Sequence, residues 1–269
     1  MRLSRTLALT LALPASLVCQ TPKSGAARDG VMVEFEIFAD LFGNRLIAAF
    51  DSIPASRYGY APTPSQQSVG YIAQHLEAAN YDLCGQFTDL RHPAAAKDSA
   101  SDSVKARWPK DTLVARVRAS VRFCDDALAR TPHLNTPALA SLLLRFETDL
   151  AEHYSQISNY MRMLGMVPPS ALQPKPRVAI MLPGAVLVQY AGTYEVSAGV
   201  TVDVALHDGA LTISSTAGGP RVPISAERLD EFFATEIDAQ ITFTRDETGR
   251  IAGLVVRRFG SDRPAKKVR

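Results

Sequence analysis

Few residues in this chain have the type and spacing for chemistry. Asp149 and His153 stand four apart in a segment whose apolar positions Leu142, Phe146, Leu150, Ile157 and Met161 keep helical spacing. Side chains four apart on a helix share a face, so the carboxylate and the imidazole fall within the apolar stripe. His75 lies between Ile72 and Ala79 in another segment of the same periodicity and is expected to look inward too. A charged Asp in an apolar core must be paired, hydrogen-bonded or metal-bound, because an isolated buried charge is prohibitive. Two arrangements meet that demand. His75, Asp149 and His153 can hold a divalent metal with positions left open for water or substrate. Alternatively, they form a buried His–Asp hydrogen-bond network without metal. Spacing alone leaves both open.

Other chemistries have no foothold. The chain contains no Gly-x-Ser-x-Gly elbow, no Ser-x-x-Lys, no P-loop, no dinucleotide glycine fingerprint and no Cys-x-x-Cys pair. His92 and His133 fall in loops, and His207 on the solvent side of a strand, so none is expected to be a ligand. The net charge of +2 with no long basic run gives nucleic acid no electrostatic footprint, and no transmembrane span is present.

Four helices must position the candidate residues. The first is expected over about 31–52, ending before Pro54. The second is expected to open at Thr63-Pro64-Ser65-Gln66, where Thr63 can cap, Pro64 suits the first turn and Gln66 can close a capping box. Its apolar positions run from Val69 to Phe87 and surround His75. The third runs over about 111–130, with Leu113, Val114, Val117, Val121 and Leu128 on one side. The fourth opens at Thr136-Pro137 and closes at Gly165. Short loops make the first and second helices antiparallel, and likewise the third and fourth. The longer stretch 88–110 can return along the helices and leave the second and third parallel.

The chain start resembles a bacterial-type signal peptide over 1–20: Arg2 and Arg5, an apolar run Thr6–Leu13, then Pro14, Ala15 and Ser16. Export to the periplasm or beyond is the expectation. Lipidation at Cys19 is disfavoured, since Ser16 and Val18 stand where that signal wants Leu and a small residue. Cys84 and Cys124 then remain as an even pair in an oxidising compartment and suggest one disulfide; two buried free thiols are the alternative. Parallel second and third helices would bring the two to similar heights.

A proline-rich linker, 171–187, separates the helices from a region of period two, 188–269. Val200, Val202, Val204 and Leu206 alternate with Thr201, Asp203, Ala205 and His207, and Asp208-Gly209 signals a hairpin. Segments 211–213, 221–224, 231–235, 240–244 and 251–258 read as further strands. The expected fold class is α+β in two domains: a four-helix bundle over 30–170, then a small antiparallel meander or barrel.

The blocks Tyr58–Pro64, Ser68–Tyr81 and Glu152–Arg162, with Gly165-Met166-Val167-Pro168-Pro169, resemble the DinB-like superfamily over roughly 31–169. The resemblance implies up-down-down-up connectivity and a divalent metal, usually zinc or nickel, held by three histidines. His75 and His153 match the first and last ligand positions, and Asp149 falls on the middle one in place of His. It further implies a metal-dependent transferase or hydrolase acting on a small molecule; a non-catalytic exported binding or scaffold protein with a degenerate metal site is the other reading. Tyr190–Glu195 and the strands that follow resemble a small β domain appended to exported β-lactamase-like serine hydrolases, which brings no catalytic residue.

Overall fold

The computed structural model describes residues 28–93, 98–172 and 176–269; the expected signal segment and Cys19 lie outside them. The protein divides into a helical N-terminal half and an eight-stranded antiparallel barrel. Four long helices, α1 (Gly30–Ser52), α2 (Val69–Cys84), α4 (Lys110–Ala129) and α5 (Pro137–Met163), share one apolar core that includes Phe50, Ile72, Leu76, Phe146 and Ile157. One-turn helices α3 (Asp102–Lys105) and α6 (Gly184–Leu187) lie in the connections. Among the described residues no helix is long and apolar enough to cross a membrane.

Helix α5 has the ends its sequence dictates. The Thr136 side chain accepts from the Leu139 amide, Pro137 fills the first turn, and Gly165, at φ 73°, closes the helix. The amides of Gly165 and Met166 donate back to the carbonyls of Arg162 and Met161, the Schellman arrangement. The buried stripe takes Leu143 rather than the expected Leu142, which is half-buried.

Helix α2 corrects the expectation. It starts at Val69, where Ser68 caps the Tyr71 amide, while Thr63 and Gln66 bond each other in an exposed turn. The reason is tertiary. The first amides of the helix, on Val69 and Gly70, donate to the carbonyls of Tyr60 and Tyr58, so the chain before the turn satisfies them. Gly70 also lies against the Ala106 carbonyl so closely that a Cβ would collide with it. At its other end α2 stops at Cys84, leaving Phe87 in a turn.

Helices α2 and α4 run parallel. Glu77 pairs with Arg116, Asn80 donates to Ser120, and Cys84 is disulfide-bonded to Cys124, at separations of 39, 40 and 40 residues. Partners that advance together along both helices require parallel axes. The cystine closes a 40-residue loop, a constraint worth about 4 kcal/mol in the chain-entropy view.

The barrel strands are β1 (Gly192–Ser197), β2 (Val200–His207), β3 (Ala210–Ser215), β4 (Val222–Arg228), β5 (Glu231–Ala234), β6 (Ala239–Arg245), β7 (Ile251–Arg258) and β8 (Ser261–Lys267). Each pairs antiparallel with the next, and β8 returns to β1, closing the sheet. Asp208 and Gly209 form the β2–β3 turn at φ 49° and 81°, as a type I′ hairpin requires. Alternating residues such as Val202, Val204, Ile213, Ile241 and Leu254 fill the interior with Tyr194, Phe232 and Phe243. Ahead of β1, Ile180 bridges to Ala226 of β4, so the end of the proline-rich segment packs on the barrel.

Helix α1 serves both halves. One face enters the helical core through Met32, Ala39, Leu46 and Phe50. Another meets the barrel through Glu36, Asp40 and Asn44, spaced four apart. Arg263 of β8 bonds Glu36 at 3.2 Å and Asp40 at 2.6 Å, and Asn44 donates to the Phe259 carbonyl at 2.7 Å.

Candidate metal centre

Helices α2 and α5 bring His75, Asp149 and His153 together. One ligand atom from each lies within 4.8 Å of the others. Both imidazoles point Nε2 at the same carboxylate oxygen: His75 at 3.6 Å and His153 at 3.5 Å from Asp149 Oδ1. The rings meet edge to face at 4.8 Å between centroids. His153 is buried and Asp149 half-buried. His75 departs from the expected inward position, because its side chain keeps 39% exposure at the rim. The site is therefore anchored in the core and open on one side.

The contacts are too long for hydrogen bonds. Two ligands of one tetrahedral cation stand about 3.3 Å apart, so the three atoms, which spread over up to 4.8 Å, would have to draw together to hold one. Asp149 Oδ2 is buried without a hydrogen-bond partner. Two imidazoles, one ionised carboxylate and an orphaned buried oxygen suit a divalent cation.

A hydrogen-bond chain fixes the tautomer of His153. The Gln67 carbonyl can only accept, so the Tyr160 hydroxyl donates to it, at 3.0 Å. The Tyr160 oxygen then accepts from Gln156 Nε2 at 3.0 Å, which turns Gln156 Oε1 towards His153 Nδ1 at 3.1 Å. Nδ1 must carry the proton, and in the neutral ring Nε2 presents a lone pair to a carboxylate. That juxtaposition calls for a positive centre, a second proton or a metal ion. Neither Gln156 nor Gln67 stood out in the sequence. The signal was present in principle, because Gln156 is three residues beyond His153 on the same helix.

The charges agree with this picture. Burial alone would raise the Asp149 carboxyl, but His153 and His75 outweigh it and hold the pKa at about 2. Burial would lower His153, yet Asp149 and then Gln156 and Glu152 push it up. Two residues before Asp149, Glu147 behaves oppositely: burial, with the charge of Asp40 added, pushes its carboxyl up to about 8. Beside the site is a surface groove of about 580 Å³, lined by Leu83, Ser141, Arg145, Asp149 and Glu152 among others.

The remaining expectations fall away from this centre. His133 lies against Asp29 at 3.2 Å, His92 stacks on Tyr81, and His207 is exposed. The Tyr154 hydroxyl accepts from the Ser170 amide.

Residues 176–266 match a family described as a domain of unknown function (DUF3471). The matched segment is the barrel with the chain leading into it, and the helical half lies outside it. No curated protein matches the chain. Among the solved structures that align with it are "Crystal structure of SurE with D-Leu", 17% identical with a TM-score of 0.31, and "Crystal structure of SurE", 16% identical with a TM-score of 0.32. Each alignment covers 45% of this chain and 28% or 27% of the other, so the chain spans less than a third of their length. At that likeness neither fold nor function carries over.

Proposed function

We propose that residues 30–170 form a four-helix bundle of the DinB-like kind, up-down-down-up, that holds a divalent cation on His75, Asp149 and His153. Zinc or nickel suits two imidazoles and a carboxylate. The single observation that carries this reading is the convergence of both Nε2 atoms on Asp149 Oδ1, at 3.6 and 3.5 Å. The parallel course of α2 and α4 supports the connectivity.

When bound, the cation would supply Lewis acidity towards a small-molecule heteroatom, the chemistry of a metal-dependent transferase or hydrolase. The protein's own residues do the rest. Asp149 brings negative charge to the centre. The chain Gln67–Tyr160–Gln156 holds the proton on His153 Nδ1 and keeps Nε2 free to ligate. His75, at the rim, leaves the open side towards solvent. The amino-terminal pattern and the cystine support export.

A second reading is a non-catalytic binding or scaffold protein. It is favoured by the carboxylate that replaces the middle histidine of the resembling family. Elemental analysis of protein loaded with zinc or nickel separates the two. One equivalent of metal, lost in Asp149→Ala and bound about 10–100-fold more weakly in Gln156→Leu, is the expected result. Failure to retain metal, with a melting temperature indifferent to chelator, overturns the first reading.

A further inference from the structure

A second cavity, far from the histidines in character, lies where α1 covers one mouth of the barrel. Its volume is about 430 Å³, in the range of small-molecule sites, which favour domain interfaces and barrel mouths. The walls are apolar: Val196, Val202, Ile213 and Val256 from the barrel, and Val33 and Ile37 from α1.

Two arginines stand at this mouth. On β7 the residues Leu254, Val256 and Arg258 alternate, and Leu254 is in the barrel core. Arg258 therefore faces the interior, opposite the buried Ala239. On β8, Arg263 stands opposite Val256 and shares that face. Their roles differ. Arg263 is fully engaged, binding Glu36 and Asp40 and clamping α1 over the opening. Arg258 uses only Nε, which donates to the Ile237 carbonyl at 3.0 Å, and lies over the Phe259 ring. Among the described residues no carboxylate forms an ion pair with it. Glu34 of α1, which also lines the cavity, and Asp238 attract it only from longer range. The cavity thus joins an apolar body to one guanidinium whose two Nη groups have no hydrogen-bond partner among the described residues.

We infer that this cavity binds a small apolar carboxylic acid, its hydrocarbon among the valine and isoleucine walls and its carboxylate on the Nη groups of Arg258. Arginine presents paired N–H groups that match a carboxylate in geometry and charge. Glu34 competes for the same guanidinium and so weakens the site. The inference is independent of the metal reading.

Calorimetric titration of the full chain, stripped of metal and dialysed, with decanoate, decanol and decylamine tests it. Stripping prevents a carboxylate from reporting on the histidine site instead. Decanoate is expected to bind one saturable site at least about tenfold more tightly than decanol, with decylamine weakest. Arg258→Gln, with an unchanged thermal melt, brings decanoate to the level of decanol. Glu34→Gln tightens decanoate, and Val202→Phe weakens all binding by filling the cavity. Decanoate that fails to saturate, or binds no better than decanol, overturns the inference on the unaltered chain, whatever the variants do. Survival of the preference in Arg258→Gln, or unchanged decanoate affinity in Glu34→Gln, overturns it as well.

Discussion

The two halves treat half-buried carboxylates differently. In the barrel, Asp230 accepts from the Tyr190 hydroxyl at 2.8 Å and from Arg245 Nε and Nη2 at 2.9 and 2.7 Å. Arg245 first, then Tyr190, holds its carboxyl below the ordinary range against burial. In the helical half, Asp149 keeps one oxygen without a partner, and Glu147 keeps both. Among the described residues every buried side-chain polar atom lacking a partner lies at or before Ser158. A satisfied network makes a staple for the fold. An open buried group costs stability unless a further partner completes it.

The largest effect should separate the halves mechanically. Cys84→Ser with Cys124→Ser is expected to destabilise the helices by about 4 kcal/mol. Trp108, the only tryptophan, sits against the helical core and reports that transition by fluorescence in denaturant. An unchanged midpoint would show that the crosslink is idle and that α2 and α4 hold each other by packing alone.

Next comes the staple itself. Asp230→Asn should cost the barrel about 2 kcal/mol, since Tyr190 and Arg245 lose a charged acceptor that is itself partly exposed. Stability is the whole readout there, whereas the matching change Asp149→Asn should move metal content. Equal behaviour of the two variants in both assays would erase the contrast.

The seam between the halves carries a pH dependence. Burial, then the charges of Asp40 and Asp126, raise Asp125 to about 7, while Arg263 opposes them. A carboxyl raised in the folded state binds more protons there than when unfolded. Its contribution is thus complete below about pH 4, declines as pH rises to about 7, and is flat above. Asp149, held at about 2, has the opposite sign: its contribution is present above about pH 4 and is lost as pH falls towards 2. Asp125→Asn should remove a loss of about 1–3 kcal/mol between pH 4 and 7, read from chemical denaturation at each pH. A neutral-range slope that survives the substitution would place the titration elsewhere.

The smallest effect tests where α2 begins. Ser68→Ala should cost about 1 kcal/mol as a lost cap, and Thr63→Ala less than about 0.5 kcal/mol as an exposed turn change. Reversed values in thermal melts would restore Thr63 as the start.

Much of the fold was legible because its signals are local. Thr136, Pro137 and Gly165 bound α5 through bonds made within a few residues of each end. Asp208-Gly209 turns β2 into β3 for the same reason. The strand β8 was not among those expected from alternation. Its sequence Ser-Asp-Arg-Pro-Ala-Lys-Lys offers little apolar period, and its place comes from pairing with β7 and β1 at once. The α2 start is not legible locally, because its first amides are satisfied by Tyr58 and Tyr60, partners that no local motif announces.

By itself the sequence determined which faces are apolar, where most elements begin and end, and that Asp149 and His153 share one face of α5, whereas His75 lies at the rim rather than inward. Periodicity and capping act over a few residues, so they survive without a fold. Only the tertiary structure decided that two imidazoles meet one carboxylate oxygen, that Gln67 fixes a tautomer through Tyr160 and Gln156, and that Arg258 stands at a covered barrel mouth with no ion pair among the described residues. Each of these depends on distances between segments remote in the chain, set by how the helices and the closed sheet pack.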